Sequence, residues 1–147
     1  MKKNNKELEE ILKYNFKDSD LLKLSLTHKS FDKNYNNEKL EFLGDRVLGL
    51  IISKKLIEIY PTEKEGIIDK KFANLVNKKT CSSIAKKMNL NKFMYLGSTH
   101  KSLPRSANKV MSDCLEALIG AIYLDSGLKN AEEFILNFWK KFLENSS

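Results

Sequence analysis

The chain has 147 residues with 41% hydrophobic content, and 26 Lys+Arg against 19 Asp+Glu leave a formal charge of +7; this predicts one soluble domain, residues 1–147, with room for a real core. The longest apolar runs, residues 47–52 and 117–124, are too short to span a bilayer as helices, and the basic start leads into Glu7-Leu8-Glu9-Glu10 rather than a signal peptide's apolar stretch, so membrane insertion and secretion are set aside. Cys81 and Cys114 lie far apart with no C-x-x-C pair, which excludes a disulfide framework and a cysteine zinc site and predicts an intracellular protein, with cytoplasm and nucleus unresolved.

In chain order the periodicity predicts helix after helix and no sustained alternation of a strand, so the fold class is all-α. Residues 6–14 form an amphipathic helix through Leu8, Ile11 and Leu12, and Asp18-Ser19-Asp20 supplies capping side chains for a second through Leu22 and Leu26. Thr27 to Phe31 closes it. A polar loop, residues 32–37, leads to a long helix that Asn36 or Asn37 caps and Pro61 stops. Thr62-Glu63-Lys64-Glu65 has capping-box spacing for the next helix, through Ile67, Ile68, Phe72 and Leu75. After a break at residues 78–80 the pattern resumes at Ile84, and residues 89–96 read as a turn and connection. Residues 98–106, with His100, Lys101, Pro104 and Arg105, form the longest predicted loop. A helix over residues 107–124 is apolar almost all round and belongs in the interior. Gly127 caps its end, and residues 129–144 make a last helix with Phe134, Ile135, Phe138, Trp139 and Phe142 inward.

Two groups of acids interrupt this pattern. Glu38, Glu41 and Asp45 are spaced three and four apart, so one helix face carries three carboxylates that repel each other. Asp113 and Glu116 sit three apart on the apolar helix, where an uncompensated charge is expensive. If the two helices cross with these faces together, Glu41, Asp45, Asp113 and Glu116 form a four-carboxylate nest. Oxygen-only ligands suit a hard ion such as Mg²⁺, and ions held there against a phosphate support metal-assisted phosphodiester hydrolysis. The net positive charge makes a polyanion a natural partner, although Lys and Asn run high together, which fits codon bias as well.

The stretch Asn37-Glu38-Lys39-Leu40-Glu41-Phe42-Leu43-Gly44-Asp45 resembles the ribonuclease III signature, and Ser112 to Asp125 resembles that family's second acidic motif. Thr27-His28-Lys29-Ser30 is similar to its early T-H-x-S element, and Glu65-Gly66 with Leu75-Val76 to its middle helix, so the likeness covers nearly the whole chain. The resemblance implies an all-helical endonuclease domain, working as a homodimer on double-stranded RNA with Mg²⁺, for which Mn²⁺ can substitute. Each protomer would cut one strand, leaving 5′-phosphate and 3′-hydroxyl ends with short 3′ overhangs, in ribosomal RNA maturation or small-RNA production. By position, Glu41, Asp45, Asp113 and Glu116 correspond to the metal-binding catalytic set, with Asp45 and Glu116 the leading pair. Glu38 and Glu65 correspond to accessory acids near the RNA, and Phe42 to an aromatic that enters the partner protomer.

Plainer roles compete for several of these residues. Glu38 suits a first helical turn, Glu65 its capping box, Phe42 an intramolecular core, and Cys114 the packing of a small hydrophobe. Gly44 inside a helix points only to a close approach, and His28 reads as a hydrogen-bonded structural histidine. For the four central acids a surface ion pair is a weak alternative, because basic partners are scarce along both faces. Phe72 stands where bacterial members commonly have Arg, and the 102–106 loop lacks their usual glycines. Lys109, four residues before Asp113, resembles a lysine of Dicer-like members and favours a eukaryotic or viral origin.

The stretch after the last predicted helix is too short for the double-stranded RNA-binding domain that usually follows in this family, so the expectation is a catalytic domain without one. The catalytic dimer would then hold RNA by itself, weakly and with strong salt dependence, through Lys101, Arg105 and Lys109, unless a separate double-stranded RNA-binding protein supplies that function. A catalytically weak or inactive relative that binds RNA or ribosomes is the competing function.

Overall fold

In the computed structural model, which describes residues 5–98 and 107–147, regular structure is helical and no β-strand occurs among the described residues. The helices are α1 (Asn5–Leu12), α2 (Ser19–Leu26), α3 (Glu38–Ile59), α4 (Glu65–Val76), α5 (Lys78–Lys87), α6 (Leu90–Phe93), α7 (Ala107–Ser126) and α8 (Leu128–Glu144). The all-α expectation holds. An isolated parallel bridge pairs Thr27 with Tyr95, where His28 N–H donates to the Tyr95 carbonyl (3.0 Å) and Tyr95 N–H to that of Leu26 (2.9 Å).

Local chemistry sets most boundaries. Asp18 caps α2 by accepting from Asp20 N–H at 2.9 Å. At the start of α3 the cap residue Asn37 makes no side-chain cap bond; Asn36 accepts from Glu38 N–H at 3.1 Å instead, while Asn37 Nδ2 donates to the buried Ser25 carbonyl (3.1 Å) and ties the helix to α2. The predicted break at residues 78–80 falls earlier, at Asn77, whose side chain accepts from Thr80 N–H at 2.8 Å and starts α5. Gly127, at φ 97°, carries the chain from α7 into α8 in one residue, a conformation glycine adopts without a Cβ penalty.

The capping box at Thr62 does not form. Glu63 N–H bonds back to the Tyr60 carbonyl (3.2 Å), so the residues after Pro61 are spent on a turn and α4 begins at Glu65 with Lys64 as its cap. Glu65 is therefore the first helical residue, with no side-chain cap bond beside it. The helix dipole is what favours an acid there.

Helix α7 runs through the centre. Val110, Leu115, Leu118, Ile119 and Ile122 are all at most 4% exposed, which satisfies the all-round apolar character read from the sequence. Its most extensive partner is α3, with α5, α2 and α8 completing the surround. From α8 the Trp139 side chain is fully buried and its Nε1–H donates to the Leu75 carbonyl of α4 at 2.8 Å, while Phe138 and Phe142 are only half-buried.

Close approach of α3 and α7 depends on two glycines. A Cβ at Gly44 would overlap the Glu116 carbonyl oxygen and lie 2.9 Å from Gly120 N; one at Gly120 would overlap the Leu40 carbonyl oxygen and lie 3.1 Å from Gly44 N. Backbone meets backbone at this crossing. One helical turn away on each side stand the acids.

Candidate active site

Glu41 on α3 and Asp113 and Glu116 on α7 each present a carboxylate oxygen, and these three atoms all lie within 4.8 Å of one another. Glu41 and Asp113 are half-buried and Glu116 is 7% exposed. Across the crossing the Glu41 carboxyl feels that of Asp113, and the Glu116 carboxyl that of Asp45. Burial, then the Asp45 contact, pushes the Glu116 carboxyl up to about 9, and burial followed by the Asp113 charge raises that of Glu41.

Carboxylates crowded this way fit a divalent cation, because a hard ion held among their oxygens relieves their mutual repulsion and offsets the cost of burying their charge. Glu41, Asp113 and Glu116 offer oxygen donors only, a set suited to Mg²⁺ or Mn²⁺ rather than to a softer metal. Asp45 stands differently from its three companions. It touches Glu116, but its side chain is 53% exposed and pairs with Arg46 at 3.3 Å.

Basic partners are less scarce than the sequence suggested. Besides Arg46 at Asp45, Lys109 Nζ donates to Asp113 at 2.6 Å, a bond that raises the lysine's pKa and orients the carboxylate. The reason is helical geometry, since Lys109 and Asp113 are one turn apart on α7. Both cations sit on the solvent side, and among the described residues no ion pair reaches Glu116.

Of the accessory residues, Glu38 is exposed and faces Lys29 at 4.0 Å. Glu65 is exposed at the start of α4, outside the close carboxylate group. Phe42 is 59% exposed, so it is not an intramolecular core residue, and the Arg46 guanidinium stacks over its ring at 3.9 Å. Lys101, Arg105 and His100 lie outside the described residues. Cys114 is fully buried, its thiol pushed up to about 12 by burial, and packs as a small hydrophobe. Gly120 was missed, although a glycine one turn beyond Glu116 in an apolar helix carried the same signal as Gly44.

Comparison with known proteins places this geometry. A family model described as ribonuclease-III-like matches residues 18–142. "Ribonuclease 3" of Pelagibacter ubique is 57% identical over 146 residues, 99% of this chain and 66% of that protein. "Ribonuclease 3" of Campylobacter jejuni subsp. doylei is 42% identical over 140 residues, 95% of this chain and 62% of that protein. The chain thus spans under two thirds of these relatives' length. Both are bacterial, which runs against the eukaryotic or viral origin suggested by Lys109.

A solved structure of the nuclease domain of ribonuclease III from Campylobacter jejuni superposes with a TM-score of 0.91 at 41% identity, covering 96% of this chain and 99% of that one. Dicer from Pichia stipitis, at 23% identity and a TM-score of 0.69, shares the fold. With a family model over most of its length and a relative of 57% identity, the chain belongs to the ribonuclease III family.

Proposed function

We propose that the chain is a divalent-metal-dependent endoribonuclease acting on double-stranded RNA as a homodimer, each protomer hydrolysing one strand to 5′-phosphate and 3′-hydroxyl ends with short 3′ overhangs. The observation that carries this reading is the meeting of Glu41, Asp113 and Glu116 oxygens within 4.8 Å at a helix crossing that also brings Asp45 onto Glu116. These residues would hold Mg²⁺ or Mn²⁺, which when bound supplies Lewis acidity and screens the phosphate's charge. Lys109 fixes the Asp113 carboxylate, and the Gly44–Gly120 crossing fixes the spacing between the two helices' acids. The exposed Phe42, with Leu50 and Ile57 also exposed along α3, supports a second protomer docking on that helix. Ribosomal RNA precursors and precursors of small RNAs are the substrates to be compared.

The test is incubation of a long RNA duplex with Mg²⁺, beside the Glu116→Gln variant. Cleavage by the parent and its loss in the variant are expected, with the ends identified by labelling. No cutting by the folded parent, or equal cutting by the variant, removes the enzymatic reading and leaves an RNA-binding relative.

A further inference from the structure

Arg46 connects the candidate metal site to the exposed ring on which a second protomer would dock. Its guanidinium lies over the Phe42 ring at 3.9 Å, donates to the Phe42 carbonyl at 3.3 Å and pairs with the Asp45 carboxylate at 3.3 Å. Helical geometry makes these contacts a single conformation. Residues 42 and 46 are one turn apart on the same face, whereas adjacent residues such as 45 and 46 do not face each other. A long side chain on a helix leans back over the preceding turn, and from its rest on Phe42 the guanidinium reaches sideways to Asp45. The ring is the platform, and the ion pair is what it supports.

The pair matters because of where it leaves Asp45. Glu41, Asp113 and Glu116 bring oxygens within 4.8 Å of one another, while Asp45 is not in that group although it stands near enough to influence the Glu116 carboxyl. A guanidinium on a carboxylate competes with a divalent ion for it, as a proton does. Both Arg46 and Asp45 are more than half exposed, so the hold is weak and easily shifted.

Phe42 can supply that shift. Its ring is 59% exposed and carries the Arg46 charge over one face. Seating the ring in an apolar pocket of a second protomer takes that face out of water, and a guanidinium does not follow it there without a partner. Docking on Phe42 therefore strips Arg46 of its platform.

We propose that Arg46 is a positioning residue coupling the two events: in the free protomer it holds Asp45 back from metal binding, and seating Phe42 in a partner releases Asp45 to join Glu41, Asp113 and Glu116. The proposal rests on the homodimeric, metal-dependent reading above and adds the regulation of that same site. Linkage makes the effect reciprocal, so a divalent ion that draws Asp45 from Arg46 also strengthens the dimer.

That reciprocity is measured without any cleavage. Fluorescence-detected sedimentation across a dilution series gives the dimer dissociation constant of the parent and of Arg46→Ala, each in saturating Mg²⁺ and in EDTA at matched ionic strength. Mg²⁺ should tighten the parent dimer by about fivefold, the scale of one exposed ion pair with one exposed cation–π contact, and the Arg46→Ala dimer by under about twofold. The ratio is diagnostic, since loss of the arginine shifts the dimer constant in both solutions alike. Arg46→Ala keeps every acid, so Mg²⁺ should raise its melting temperature at least as much as the parent's. An equal Mg²⁺ ratio in the two proteins, no Mg²⁺ effect on the parent dimer, or loss of Mg²⁺ stabilisation in Arg46→Ala overturns the coupling and leaves the ribonuclease reading intact. A folded parent that stays monomeric at every concentration, or that Mg²⁺ does not stabilise, removes the dimeric, metal-dependent reading together with it.

Discussion

Gly44 on α3 and Glu116 on α7 meet backbone to backbone, with the Glu116 carbonyl occupying the space a Cβ at position 44 would need. The same residue that lends its carboxylate to the candidate metal site thus lends its peptide oxygen to the helix contact. Spacing of the acids and packing of the helices are one constraint.

Gly44→Ala should therefore lower stability by about 3 kcal/mol, at the upper end for overpacking, because the obstacle is backbone and neither helix can yield alone. Gly66→Ala is the contrast. Nothing lies within 4 Å of a Cβ there, and the substitution in α4 should be neutral or stabilising by about 0.5 kcal/mol. Urea unfolding of both variants checks the difference, and nuclease activity should fall with Gly44→Ala alone.

Glu116 predicts an inverted pH response. Its folded pKa of about 9 lies above the ordinary value of 4.5 for a glutamate, so between those values the folded state binds the extra proton and the group's contribution to stability falls as pH rises. Below 4.5 the contribution is complete, and Glu41, raised in the same direction, adds to the trend. Without divalent ions, parent stability should decline from pH 5 to pH 9 by on the order of a few kcal/mol relative to Glu116→Gln. Parallel melting curves of the two proteins across that range would refute this if their separation stayed constant.

Divalent ions should reverse the loss. Mg²⁺ at a hundred times its dissociation constant stabilises a one-site protein by about 2.7 kcal/mol. That gain should increase with pH, as protons cease to compete, and shrink sharply in Glu41→Gln and Glu116→Gln. Calorimetric scans with Mg²⁺ and with EDTA provide the check.

Trp139→Phe should cost about 2 kcal/mol, since the buried Leu75 carbonyl loses its indole donor as the core loses volume. Chemical denaturation followed by circular dichroism measures it, the fluorescent probe being the residue removed.

Phe42→Asp should convert a dimer to a monomer in analytical ultracentrifugation with little change in melting temperature at low protein concentration, because a ring 59% exposed contributes little to its own fold. A large drop in melting temperature for the monomeric species would show that the ring matters within the protomer.

Much was legible in the sequence because it was local. Apolar periodicity located the helices except α6 (Leu90–Phe93), which lies in the stretch 89–96 expected to be a turn and connection; Pro61 and Gly127 punctuated them, and spacings of three and four put Glu41 with Asp45 and Asp113 with Glu116 before any fold was known. The failures were also local, but concerned competition. At Thr62 a turn after Pro61 won over the capping box, and of the two candidates at the start of α3 it is Asn36 that bonds the Glu38 N–H, Asn37 being tied to Ser25 instead.

What only the tertiary structure decided is which of these acids meet. Sequence spacing fixes a direction around one helix axis and says nothing of the angle or distance to another. The Gly44–Gly120 crossing supplies both, drawing Glu41, Asp113 and Glu116 together, leaving Asp45 half in solvent against Arg46, and turning Phe42 outward. It also placed Lys29 and His28, more than 80 residues before Asp113, on the rim of a cavity that reaches the same carboxylate. The physical reason is that a helix carries its neighbours' positions within itself, whereas a contact between helices exists only when packing has chosen it.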